Sequence, residues 1–65
     1  MKSNEYRHHV SYIANNNVVG CITIINNTEK YELTHQVDYL TEHIKSLLNL
    51  KSLIITNIIS FEVFF

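Results

Sequence analysis

Three consecutive asparagines, Asn15-Asn16-Asn17, separate two runs in which apolar residues alternate, and this constrains the fold more than any other feature of the chain. Asparagine tolerates the left-handed backbone of a tight hairpin loop. Before the loop, Tyr6 to Ala14 reads as a strand, with Val10, Tyr12 and Ala14 on one face and Arg7, His9, Ser11 and Ile13 on the other. After it, Val18 to Ile25 reads as a second strand, with Val18, Gly20, Ile22 and Ile24 opposite Val19, Cys21, Thr23 and Ile25. Gly20, the only glycine, removes a side chain where another element could approach closely. A β-hairpin is expected.

The hydrophobic period then changes. Asn26 to Leu33 reads as a polar connection broken by Tyr31 and Leu33, and Thr34 as the N-cap of a helix. Val37, Leu40, Ile44, Leu47 and Leu48 recur at spacings of three and four, one apolar stripe running to about Asn49. Asp38, Thr41, Glu42 and Lys45 take the solvated side. Leu53 to Thr56 reads as a third strand whose continuous apolarity implies burial on both faces. The run continues to Phe65, either as one long strand or, after a bend near Asn57 or Ser60, as a fourth short one.

These pieces predict an α+β fold: a single ββαβ domain over residues 1–65, with an antiparallel sheet of three or four strands in the order 2-1-3. One amphipathic helix covers one face. The other face, carrying Arg7, His9, Ser11, Ile13, Val19, Cys21, Thr23 and Ile25, has no cover and reads as an interface.

A 65-residue chain buries only about 60% of the surface its unfolded form exposes, so small folds commonly need a staple. The lone Cys21 excludes an internal disulfide and a Cys-rich zinc site. Self-association, as a homodimer or a larger assembly, or partner binding is therefore the expected source of extra burial. Five basic and six acidic residues, scattered, give no electrostatic footprint for nucleic acid. Met1 to His9 lacks the apolar run of a signal peptide, and the stretch from Leu47 is interrupted by Asn49, Lys51, Asn57 and Glu62, too often to span a bilayer. A soluble cytoplasmic protein without membrane contact is expected.

Chemistry-bearing arrangements are sparse. His8 and His9 are adjacent on a strand and point to opposite faces, while His35 and His43 stand two helical turns apart. No spacing suits a metal, so the four histidines read as surface residues. Cys21 has no activating neighbour and reads as a small apolar strand residue. There is no Gly-rich phosphate loop, and one helix on one sheet makes no cleft for paired carboxylates. No catalytic activity and no cofactor are expected.

Recognition is the alternative. Arg7 and His9 share a strand face beside Tyr6, and such a cluster could hold an acidic partner surface or a small phosphorylated ligand across a subunit boundary. Ser11 and Thr23 extend that face. Phe61, Phe64 and Phe65 can complete the core, cover a subunit contact or anchor another protein. Ile54 to Ile59 is uncharged and β-prone, an edge that needs a cover.

Taken together, Tyr6, Val10-Ser11-Tyr12, the lone Gly20, the helix opening Thr34…Val37-Asp38 and Ile54-Ile55-Thr56-Asn57 resemble small ββαβ proteins encoded by bacteriophages and prophages. That resemblance implies a non-enzymatic protein acting on a host or phage protein. Some such proteins inhibit defence systems, CRISPR effectors among them, and some sequester nucleotide signals between subunits. The acidic surface of DNA-mimicking inhibitors is missing from this chain. The resemblance assigns no functional residue. A purely structural or regulatory homo-oligomer is the remaining reading.

Overall fold

A computed structural model describes the backbone of residues 4–64 and the side chains of residues 5–63. Two strands, β1 (Asn4–Ala14) and β2 (Val18–Asn26), form an antiparallel hairpin in unbroken register from Tyr6↔Asn26 to Ala14↔Val18. Asn15 and Asn16 adopt φ of 48° and 76°, the left-handed conformation expected of the loop. Two helices, α1 (Lys30–His35) and α2 (Val37–Leu48), lead to β3 (Leu53–Phe64), which pairs antiparallel with β1. The sheet order is β2-β1-β3, as the ββαβ succession of elements predicts.

The core lies between the sheet and the helices. Val10, Leu33, Leu40, Ile44, Leu53 and Ile58 form one buried cluster, flanked by half-buried Tyr12, Ile22, Ile24, Leu50 and Ile55. Burying a side chain of this kind is worth about 1.5–3 kcal/mol. The α2 terminus is closed by Asn49 in the left-handed region (φ 55°), where its N–H donates to Ser46 O (3.3 Å) and the Leu50 N–H donates to Lys45 O (2.9 Å). That double bond pattern satisfies carbonyls the helix end would otherwise leave free.

Several expectations need correction. The helical layer contains two helices, not one, because the segment read as a polar connection coils at Lys30 so that Leu33 can enter the core. Thr34 is no N-cap: it sits inside α1, where its hydroxyl donates to Lys30 O (3.1 Å) and Tyr31 O (2.8 Å). The helices part at Gln36 (φ −110°, ψ 24°). Of the stripe on α2 only Leu40 and Ile44 are buried, while Val37, Leu47 and Leu48 are exposed.

Strand β3 runs unbroken, with a bulge in place of a bend. Ser11 pairs with Asn57 but Tyr12 with Ile55, leaving Thr56 as the extra residue. The insertion explains how Ile55 and Ile58, three apart, both meet the core. The strand is buried on one face rather than two, since Leu53 and Ile58 are inside while Ile54 and Ile59 are exposed. Cys21 is exposed as well, because it falls on the face without a helix.

Candidate interaction surface

Strand pairing sets the uncovered face out in rows. Ile25, Arg7 and Phe61 form one, then Thr23, His9 and Ile59, then Cys21, Ser11 and Asn57, then Val19, Ile13 and Ile54. The large apolar residues at its margins are exposed to between 49% (Ile59) and 78% (Val19), far more than a two-sided core permits. Arg7 is the single charged residue in these four rows, and it has no carboxylate within ion-pairing distance among the described residues.

Within the face, His9 is the organising side chain. Its Nδ1 is hydrogen-bonded to Thr23 Oγ1 at 3.1 Å, and its ring meets Phe61 edge to face, with centroids 5.6 Å apart and planes at 73°. Arg7, His9, Ser11, Thr23 and Phe61, all singled out from the sequence, thus share one continuous surface. Tyr6 is not part of it. It lies on the helix side, with its ring stacked 6.1 Å from that of His8, and its hydroxyl donates to Glu62 Oε2 at 3.4 Å. Partial loss of hydration and the carboxylates of Glu62, Glu29 and Glu32 hold its phenol above the usual value of 10.0, because each disfavours the phenolate. The side chain of Phe64 lies outside the described residues, and Phe65 does so entirely.

The sequence reading of four surface histidines fails at His8, which is fully buried. Asn26 Oδ1 accepts the Thr28 N–H (3.0 Å), which fixes that atom as oxygen. His8 Nε2 faces this oxygen at 3.0 Å and Thr28 O at 2.9 Å, so it carries the ring proton. Nδ1 then accepts the Ser60 hydroxyl at 2.7 Å. One ring thereby pins β1 to β2, to β3 and to the loop before α1. The signal was present in the sequence, for His8 shares its parity with Val10, Tyr12 and Ala14.

A second feature had no sequence signature. The helices pack against β3 and leave the inner face of β2 partly bare. A groove of about 470 Å³ remains there, with Ile22 and Ile24 on its floor and Leu40, Leu47, Tyr39 and His43 on its wall. Among the described residues no three histidine, cysteine or acidic side chains cluster as metal ligands, and no helix is long and apolar enough to cross a membrane. No protein-family model, curated protein or solved structure matches the chain.

Proposed function

We propose that this is a non-catalytic interaction protein that seats a protein partner on its uncovered sheet face. A three-stranded sheet with helices on one side only, and with Val19, Ile25, Ile54, Ile59 and Phe61 projecting from the other, is the observation that carries the reading. Exposed apolar patches of this kind mark binding surfaces. The polar centre formed by His9, Thr23 and Ser11, with Arg7 beside it, would set register and orientation while the surrounding aliphatic and aromatic groups supply burial. The partner is a host protein if the chain acts as mobile-element proteins of this size do, and inhibition of a defence factor is the form that reading takes.

The Ser60–His8–Asn26 chain has the connectivity of a nucleophile, base and orienting group, yet its surroundings favour a structural role. The ring is fully buried, and the hollow beside Ser60 carries Glu29 and Glu62 against the single cation Lys30, a net negative lining that opposes an oxyanion. A small phosphorylated ligand at Arg7 and His9 is the second reading, favoured by a guanidinium that has no ion-pair partner among the described residues and stands beside the His9–Thr23 pair.

Affinity capture with wild type, Phe61→Ser and Arg7→Ala separates these. A protein retained by wild type and lost with Phe61→Ser, the variant keeping wild-type circular dichroism, is the expected result. A partner retained equally by both rejects the face. A phosphorylated compound co-purifying with wild type and lost with Arg7→Ala transfers the conclusion to the second reading.

A further inference from the structure

We infer that a second copy of the chain pairs antiparallel along the free edge of β2, joining two three-stranded sheets into one of six strands. Among the described residues the sheet has two open edges, and they differ. On β3 the edge strand is distorted by the Thr56 bulge and carries Glu62. On β2 it is nine residues, Val18 to Asn26, in continuous register, with no charge, no proline and no bulge. Those are the devices by which edges are ordinarily blocked, and β2 has none of them.

The groove beside β2 identifies the occupant. A two-fold axis normal to the sheet near Ile22 would place Ile22 against its counterpart, set Ile24 across from Gly20 of the second copy and put both helical layers on the same side. The two grooves would then merge between α2 and its copy, so that Tyr39 and Leu47, 71% and 63% exposed in one protomer, gain apolar neighbours. A lone extended peptide would satisfy the edge and leave the groove open. Charge points the same way: neither β2 nor the groove lining contains an Asp, Glu, Lys or Arg, so identical copies meet without repulsion and a charged partner finds no complement. Area also permits it. Nine strand residues span about 30 Å, and the molecule is 18 Å thick. The flat footprint is thus about 540 Å² per partner, about 1,080 Å² in total, which reaches the roughly 1,000 Å² that a specific interface has to clear.

This pairing lies apart from the outer face assigned to a partner, and the two can fail separately. Sedimentation equilibrium on the full chain should give twice the 7.6 kDa protomer mass. Leu47→Glu and Tyr39→Glu, each at a position exposed in the protomer, should weaken the dimer at least about 100-fold while the circular dichroism stays unchanged. Amide exchange should then accelerate along Val18–Asn26, whereas Phe61→Ser should leave the mass and the exchange as in wild type. A monomeric wild type overturns the inference, as does a dimer that survives both glutamates or one that Phe61→Ser dissolves.

Discussion

The ring of Tyr12 lies directly over the Cα of Gly20, its cross-strand partner on the hairpin: a methyl group placed on Gly20 would fall 2.5 Å from Tyr12 Cζ and Oη. The glycine owes its place to this close approach and not to an unusual backbone, for it has no positive φ. Gly20→Ala should therefore expel the ring and cost about 1–3 kcal/mol, as overpacking does. Chemical denaturation measures it. The pair Gly20→Ala with Tyr12→Leu should recover part of the loss, and strict additivity would show that the two residues do not compete for one volume.

His8 offers a second test, because it is the buried polar centre of the sheet. Ser60→Ala removes the donor to Nδ1 and should cost about 1–3 kcal/mol. His8→Leu should cost more, since it strands Thr28 O and the Ser60 hydroxyl while deleting a group that spans three strands. Equal stability of His8→Leu and wild type in urea would remove the network from any account of the fold.

Asn15 does more than turn the hairpin. Its Oδ1 accepts the N–H groups of Lys51 (3.0 Å) and Ser52 (3.3 Å), and its own N–H donates to Ser52 O at 3.1 Å, tying the loop to the start of β3. Asn15→Gly keeps the left-handed backbone and the main-chain bond, so it should cost about 1 kcal/mol. Asn15→Ala should cost about 1–2 kcal/mol beyond that, because φ of 48° strains a side chain unable to compensate locally. The reverse order in thermal unfolding would assign the residue's value to the side chain alone.

Tyr6 supplies a pH prediction. Its phenol is held above 10.0, by lost hydration first and then by Glu62, Glu29 and Glu32, so the folded state retains the proton more tightly than the unfolded chain. The associated stability is present below about pH 10 and is lost as pH rises through the folded value. Phenolate absorbance in wild type, with Tyr6→Phe as the subtraction, should place this titration above 10.0. Glu62→Gln should bring it down, and added salt should reduce the difference. A titration unmoved by Glu62→Gln would show that the carboxylate is not a cause.

The hairpin was legible in the sequence because strand alternation and asparagine turn chemistry are local, and both survive in the structure from Asn4–Ala14 to Val18–Asn26. So was the membership of the uncovered face, since parity alone assigns Arg7, His9, Ser11 and Thr23 to one side. The helix beyond Val37 was legible in the same way, from a spacing of three and four that Leu40 and Ile44 bear out. Tertiary structure decided the rest. Whether Leu33 joined a loop or a helix depended on the core space beneath it, and whether the apolar run from Leu53 was buried on one face or two depended on how many layers the chain could build. Tyr6 parts from Arg7 by the same strand parity, a local rule, and its stacking on buried His8 is what the packed helical side adds. The open edge of β2 and the groove beside it arise from where α2 lies across the sheet, a packing choice that no periodicity encodes. Local chemistry fixes which residues share a face; only packing determines which faces are left bare.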